Sequence, residues 1–283
     1  MEDLDLQRIF AAQLSDAEFA KLSKFIYSQY GIKMPPEKRI MLQSRLQKRL
    51  RVLKIYSFKE YIEYVFSSQG NDEIIHMMDV VSTNKTDFYR ESAHFEYLRQ
   101  VILPKLYEEK KNIKIWSAGC SSGPEVYTLA IELSEFAASH PGFDFSILGT
   151  DISTLMLKKA FAGVYPEEMV NMIPIELKRK YLLKSKEKTK KLVRINSTLR
   201  NKTKFLRINF MDDHYAVNEQ FDIVFCRNVL IYFDRETQEK VINKLCNYLR
   251  LDGFFFLGHS ESITNINVPL KQLKPTVYSK IKN

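Results

Sequence analysis

Apolar positions recur at helical spacing through the first part of the chain and at strand spacing further on. Phe19, Leu22, Phe25 and Ile26 follow Ser15-Asp16, which offer N-caps, and Gly31 closes that first helix. After Pro35-Pro36, residues 37–54 place Ile40, Leu42, Leu46, Leu50 and Leu53 largely on one side of another helix. The pattern then changes. Ile113, Ile115 and Trp116 read as a short buried strand, and residues 117–123 are all small. Pro124 suits the first turn of a helix, where its missing N–H is no loss. Phe145 to Asp151 reads as a second strand ending in an acid, and residues 153–163 as a helix with Leu155, Leu157 and Ala160 toward the sheet. Residues 164–204 break the rhythm. Leu192 to Ile195 and Lys204 to Ile208 alternate as strands of a small antiparallel excursion, with turns at Asn196-Ser-Thr and Asn201-Lys-Thr. Phe221 to Cys226 is a near-continuous apolar run, as a strand buried on both faces should be. Asp234 caps a helix over residues 235–250, Gly253 to Gly258 forms the next strand, and Thr276 to Ile281 reads as an edge strand. This pattern predicts an all-helical domain at 1–82, then an α/β doubly wound domain at 83–283 with an antiparallel β insert at about 164–204.

Length and composition agree with two packed units: 283 residues, 45% hydrophobic, 19 Phe. No run of about 18 apolar residues appears, so no membrane insertion is expected. The acidic start, residues 1–5, lacks a signal-peptide pattern. Three cysteines (Cys120, Cys226, Cys246) are too few and too scattered for a disulfide framework or a zinc site. A cytoplasmic protein without metal is expected. The formal charge of +9 suits either nucleic acid or an acidic protein surface. It concentrates in two places. Lys38, Arg39, Arg45, Lys48, Arg49, Arg51 and Lys54 crowd the helix at 37–54 against one acid, Glu37, and a second basic run spans 178–207. Each is a solvated face or a docking surface. No aromatic residue interleaves the charges of the helix, so a base-stacking platform is missing there.

Candidate chemistry centres on residues 117–123. Gly119 and Gly123 let a ligand approach the backbone, and the following helix end offers free N–H groups. The run is not a full G-x-G-x-x-G, and no Gly-Lys-Ser/Thr follows to grip phosphate. Glu125 would repel a pyrophosphate and welcome an ammonium. The ligand reads as a nucleoside bearing a positive amino group, which S-adenosyl-L-methionine (SAM) fits. Asp151, at the end of the second strand, is placed to meet ribose hydroxyls. Arg227-Asn228 and His259 also fall at carboxyl ends of strands. Residues 82–91 form a loop entering a helix, with Thr86 or Asp87 available as its cap.

Thr83-Asn-Lys-Thr-Asp-Phe-Tyr-Arg90-Glu, Trp116-Ser-Ala-Gly-Cys-Ser-Ser-Gly123, Gly149-Thr-Asp-Ile-Ser153, the stretch from Phe221 to Asp234 and Leu257-Gly-His-Ser-Glu-Ser262 together resemble the CheR-type chemotaxis-receptor methyltransferases, over nearly the whole chain. The resemblance implies a Rossmann-like SAM methyltransferase domain. It implies methyl transfer to glutamate carboxylates on the cytoplasmic helical domain of methyl-accepting chemotaxis receptors, leaving methyl esters and S-adenosyl-L-homocysteine (SAH). It further implies that Asn84, Thr86 and Arg90 reach over the cofactor, that Glu125 meets its ammonium and that Asp151 meets its ribose. Asn209-Phe210 and Arg227-Asn228 would line the adenine and the pocket floor, with Arg90 and Tyr232 facing the reacting centre. A glutamate is already ionised at neutral pH, so the reaction needs alignment and a dry pocket rather than a general base. The family more often has Gly-Glu-Glu-Pro-Tyr where this chain has Gly123-Pro-Glu-Val-Tyr127. The receptor would dock on the basic helix 37–54 and the basic insert 178–207, and a monomer without nucleic-acid partners is expected.

Two rivals carry less. An amino-methylating nucleic-acid enzyme usually has Asn/Asp-Pro-Pro-Tyr/Phe where this chain has Arg227-Asn-Val-Leu, and Cys226 lies inside a strand rather than after a proline. A non-catalytic SAM-binding adaptor would not need both Arg90 and Tyr232. His259 is expected as a wall or supporting residue, since no base is needed, and Cys120 as a small residue in a tight loop.

Overall fold

The computed structural model describes residue 9 and residues 11–282, so the acidic segment at 1–5 lies outside the described residues. Among the described residues, the first unit packs the α-helices α1 (Asp16–Tyr30), α2 (Arg39–Leu53), α3 (Phe58–Val65) and α4 (Asn71–Val81) against one another. Ser15 and Glu18 form a reciprocal capping box at the start of α1, and Gly31 ends it in the left-handed region at φ 68°. Leu22, Ile26, Leu42, Leu46, Leu50 and Tyr61 are fully buried in the core between these helices. Ile40, expected on the buried stripe, is 63% exposed. It lies two residues before Leu42, a rotation of about 200° at 3.6 residues per turn, so it faces away.

Much of the basic charge on α2 is spent inward. The Arg49 guanidinium donates to both Glu73 oxygens at 2.8 and 2.7 Å, and the Tyr61 hydroxyl donates to the same carboxylate at 2.9 Å. Arg45 donates to the Val81 carbonyl, to the Ser82 carbonyl at 3.2 Å and to Thr83 Oγ1 at 3.1 Å, which fixes the exit into the linker. Arg39 donates to the Leu14 carbonyl at 2.9 Å. Ile40, Ser44, Lys48, Arg51 and Val52 remain on the exposed face.

α5 (Ala93–Tyr97) and α6 (Leu103–Glu109) follow the linker, joined by a π-helical turn. The second unit then alternates strands and helices: β1 (Asn112–Ala118), α7 (Pro124–Ser139), β2 (Asp144–Asp151) and α8 (Thr154–Ala162). Its sheet has the order β6-β2-β1-β7-β8-β10-β9, with β6 (Thr203–Arg207), β7 (Phe221–Cys226), β8 (Leu249–Leu257), β9 (Leu270–Lys274) and β10 (Val277–Lys280). The first five run parallel, and β10 and β9 add an antiparallel hairpin. β7 is buried along its whole length, as its apolar run requires. The chain leaves β1 for β2 and β6 on one side and returns for β7 and β8 on the other, so β1 and β7 flank the switch point where such sheets bind ligands.

Several expected elements shift. Residues 203–207 do not pair with Leu192–Ile195; they extend the main sheet, with Phe205 opposite Gly149. The small antiparallel sheet consists of β3 (Val164–Pro166), β5 (Leu192–Ile195) and β4 (Leu182–Lys184), placed after α9 (Ile175–Tyr181). The turn expected at Asn196 is instead the cap of a short helix, α10 (Ser197–Arg200), whose Leu199 N–H donates to Asn196 Oδ1 at 3.0 Å. In α8, Leu155 is 43% exposed, and Met156 joins Leu157 and Ala160 on the buried face. α11 (Arg235–Asn247), capped by Asp234 as expected, stops short of residue 250. β8 already begins at Leu249, and an irregular register opposite Phe221–Ile223 absorbs Asp252 in the left-handed region, so Gly253 lies within the strand. β10 is an inner strand, and β9 takes the edge.

The helical unit sits across the carboxyl ends of the strands. Ser153 Oγ donates to Asp79 Oδ1 at 2.6 Å, Thr154 Oγ1 to Asp79 Oδ2 at 2.9 Å and the Leu155 N–H to Oδ1 at 3.2 Å, so an α4 carboxylate caps α8. The Tyr27 hydroxyl donates to Asp234, Asn209 Nδ2 to the Gln29 carbonyl at 2.8 Å and the Lys33 N–H to the Tyr232 carbonyl at 2.9 Å. No described helix is long and apolar enough to cross a membrane.

Candidate active site

β1 ends in a turn built from N–H groups that donate to one carbonyl. The Gly119 and Cys120 N–H groups donate to the Thr150 carbonyl at 2.7 and 2.8 Å, tying the turn to the end of β2. Gly119 has φ 86°, and a Cβ there would lie 2.3 Å from Val229 Cγ2, so no other residue fits without displacement. Cys120 is a small buried residue in that loop, as expected, and burial pushes its thiol up.

Glu125 enters from the first turn of α7. Ser117 Oγ donates to its Oε1 at 2.7 Å, and Arg227 Nη1 lies 3.4 Å from its Oε2. Burial holds the Glu125 carboxyl above its usual value, against the pull of Arg227. Asp151 ends β2. Its Oδ2 accepts from the Ser121 N–H at 2.8 Å and its Oδ1 from the Ser153 N–H at 2.9 Å, which fixes the carboxylate plane. Burial raises its pKa despite these donors.

The Arg227 side chain is only 1% exposed. Its Nη2 donates to the Arg90 carbonyl and to Glu91 Oε2 at 3.1 Å, and the guanidinium lies 5.4 Å from the Phe95 ring centroid. Its Nε and Nη1 are buried without hydrogen-bond partners. The next turn is held by Glu261, which the sequence reading passed over. Its carboxylate accepts from the N–H groups of Gly258, Asn228, Val229 and Leu230 at 2.7 to 2.9 Å. An acid just past a strand end was the available signal, but only the fold reveals its four donors. Tyr89, Glu91, Ser121 and Asn228 all take left-handed backbone conformations here, as residues of a constrained site often do.

A cavity of about 250 Å³ opens between these elements. Asn84, Thr86 and Arg90 line it from the linker, and Gly119, Glu125 and Asp151 from the β1 and β2 ends. Asn209, Phe210, Arg227, Asn228 and Tyr232 line its remaining wall. The residues singled out from sequence therefore converge on one space. The Asn84 carbonyl accepts from Ser121 Oγ at 2.9 Å, and Arg90 Nη1 donates to the Lys85 carbonyl at 3.1 Å. Asn209 points its amide at Gln29, so part of its capacity joins the two units rather than serving a ligand. Tyr30, Ile32, Met34, Lys38 and Met41 of the helical unit also line the cavity, and Lys38 Nζ lies 5.9 Å from the Tyr232 ring centroid. Nothing in their helical periodicity announced that role. Thr86 and Asp87 cap nothing: α5 begins at Ala93, and Ser92 before it makes no side-chain cap. His259 is not on the cavity wall; it is 57% exposed and meets Glu91 from outside.

A largely parallel sheet with a switch point at β1, a glycine turn without phosphate-binding residues, an acid at the β2 end and an acid opposite a buried guanidinium fit the SAM-dependent methyltransferase class, which the comparison with known families shows. Residues 84–279 match "CheR methyltransferase, SAM binding domain", and residues 17–82 match "CheR methyltransferase, all-alpha domain". The chain is 39% identical over 269 residues to the chemotaxis protein methyltransferase of Borreliella burgdorferi, covering 93% of this chain and 94% of that one. It is 34% identical over 279 residues to the corresponding Escherichia coli protein, covering 98% and 96%, and 34% identical to that of Salmonella typhimurium, covering 98% and 95%. The chain belongs to the CheR methyltransferase family and binds SAM.

Proposed function

We propose that this enzyme transfers the methyl group of SAM to glutamate side-chain carboxylates of chemotaxis receptors, in the cytoplasm. The observation that carries the reading is the composition of the cavity wall. Glu125 and Asp151 mark one part of it, while Arg90, Tyr232 and Lys38 supply positive charge and a hydroxyl suited to an anionic acceptor. Glu125 would take the cofactor ammonium and Asp151 the ribose hydroxyls. Arg227 Nε and Nη1, which make no hydrogen bond among the described residues, would be completed by the cofactor carboxylate. Gly119 leaves room where any side chain would intrude. When bound, SAM supplies an electrophilic methyl group on a sulfonium.

Arg90 holds the acceptor carboxylate by charge-assisted hydrogen bonds, and Tyr232 orients it. No proton needs removing, because an ordinary glutamate is ionised at neutral pH. Residues of the helical unit cover part of the cavity, and alignment can lower the barrier by several kcal/mol. The receptor helix would approach along the exposed face of α2, where Lys48 and Arg51 lie with Ile40 and Val52, while Arg39, Arg45 and Arg49 serve the fold. The basic insert offers a second contact.

Tritiated-methyl transfer to receptor cytoplasmic fragments, with nucleic acid as competing acceptor, tests this reading. Label lost in mild alkali marks a methyl ester. Arg90→Ala should keep SAH affinity within a fewfold and lower methyl transfer by orders of magnitude. Alkali-stable label, or normal turnover in that variant, refutes the assignment.

A further inference from the structure

Outside the cofactor cavity, Glu91, His94 and His259 each place one potential ligand atom within 4.8 Å of the other two. Glu91 and His94 lie three residues apart, in the left-handed turn after Arg90 and the first turn of α5, and His259 comes from the loop after β8. His94 Nε2 lies 2.7 Å from Thr276 Oγ1, and that hydroxyl donates to the Pro275 carbonyl at 2.7 Å. A hydroxyl has one proton, so it accepts from Nε2–H, and Nδ1 carries the ring's lone pair. Nδ1 is buried without a hydrogen-bond partner, on a side chain 4% exposed, and lies 3.6 Å from Glu91 Oε2. A lone pair aimed at a carboxylate is repulsive unless a cation lies between them.

The spacing suits a small ion. Two ligands about 2.0–2.1 Å from a tetrahedral ion stand roughly 3.3–3.4 Å apart. Glu91 Oε2 is 3.6 Å from His94 Nδ1 and 3.8 Å from His259 Nε2, a few tenths of an ångström from that spacing, and the two imidazole nitrogens, within 4.8 Å of each other, close the set as His259 moves inward. His259 is 57% exposed and free to supply that movement. A solvent-open hollow lined by His94, Tyr97, His259, Lys274 and Thr276 leaves room for a water as fourth ligand. The hydrogen bond from His94 to Thr276 is the kind of outer support that fixes a ligating imidazole. Two imidazoles and one carboxylate favour zinc, cobalt or nickel over calcium or magnesium, which take oxygen ligands.

We propose that Glu91, His94 Nδ1 and His259 Nε2 form a three-ligand site for a divalent transition metal ion, Zn²⁺ or a close analogue. Cysteine spacing in the sequence gives no hint of this site, and His259 joins Glu91 and His94 only through the fold. Glu91 also accepts from Arg227 at 3.1 Å and from the His259 N–H at 3.2 Å, so an arriving ion competes for that carboxylate. Arg227 then leans on Glu125, the group that would otherwise serve the cofactor ammonium. Metal and cofactor therefore oppose each other, and each weakens the other by the same factor. The positive charges of Arg227 and Lys274 nearby weaken the affinity for a cation.

The test uses the full chain without a histidine tag. Titration with Co²⁺ should give one equivalent of tetrahedral visible absorption without thiolate-to-cobalt bands, because the three cysteines are buried elsewhere. Zn²⁺ calorimetry should show one site, weakened at least tenfold in His259→Ala, with circular dichroism confirming that this variant is folded. Saturating Zn²⁺ should raise the SAH dissociation constant severalfold in the native chain and leave it unchanged in His259→Ala. Absence of stoichiometric binding, thiolate bands, or equal affinity in His259→Ala overturns the site. SAH affinity indifferent to Zn²⁺ in the native chain overturns the shared carboxylate.

Discussion

Asp79→Ala should damage cofactor binding although Asp79 lies in the helical unit and does not line the cavity. The carboxylate is 9% exposed and accepts three hydrogen bonds from residues 153–155, at 2.6, 2.9 and 3.2 Å. Hydrogen bonds to a charged partner contribute about 1.5–3 kcal/mol each, but they do not add. Ser153 is fully buried and bears the full cost, whereas the exposed Leu155 end can turn to water. The expected loss of stability is therefore about 2–4 kcal/mol, comparable to losing a strong helix cap together with a buried bond. Ser153 also donates its N–H to Asp151 at 2.9 Å and, with the Ser121 N–H, orients that carboxylate. Loosening it should raise the SAH dissociation constant about tenfold, or about 1.4 kcal/mol. Urea unfolding gives the first quantity and calorimetry with SAH the second. Turnover at saturating SAM should stay within about twofold, since Arg90 and Tyr232 are untouched. An unchanged urea midpoint together with unchanged SAH affinity would refute the proposal that the helical unit positions Asp151.

Other outcomes follow from the same structure. Burial raises the Glu125 pKa, so on acidification this carboxylate is neutralised earlier than an ordinary glutamate. SAH affinity should rise with pH through that raised value and then level off; calorimetry at stepped pH should lose this dependence in Glu125→Gln, and a dependence that persists there would place the titrating group elsewhere. Arg49→Ala leaves the Glu73 side chain, 2% exposed, as an unpaired buried charge and should cost about 3–5 kcal/mol in urea unfolding, with Glu73→Gln partly restoring stability. Lys48→Glu, on the exposed face of α2, should lower methyl transfer to receptor fragments severalfold and leave SAH binding alone; unchanged transfer returns that face to a solvated role.

The hydrophobic pattern carried the architecture wherever periodicity and caps agreed. Ser15 with Glu18, Pro124 after the small-residue turn, Asp234 before α11 and the unbroken apolar run of β7 were each legible from local chemistry. Residues 203–207 were misassigned because a half-exposed parallel strand at a sheet edge alternates like a hairpin strand, and only its pairing with β2 distinguishes the two. β9, with four of its five residues exposed, has too little apolar signal to be seen at all. The cavity's chain-borne acids were readable because each stands at a strand end or helix start. Asp79, Glu91 and Glu261 were not, because their roles depend on donors far away in sequence.

The division of labour along α2 has a consequence for ionic strength. Arg39, Arg45 and Arg49 turn their forks onto carbonyls and a sequestered glutamate, where added salt reaches them less readily. The charges on the exposed face, Lys48 and Arg51, lie open to solvent. Raising salt should therefore detach an acidic acceptor well before it unsettles the helices. The number of ions displaced on docking should fall far below the count of positive residues in that stretch of sequence.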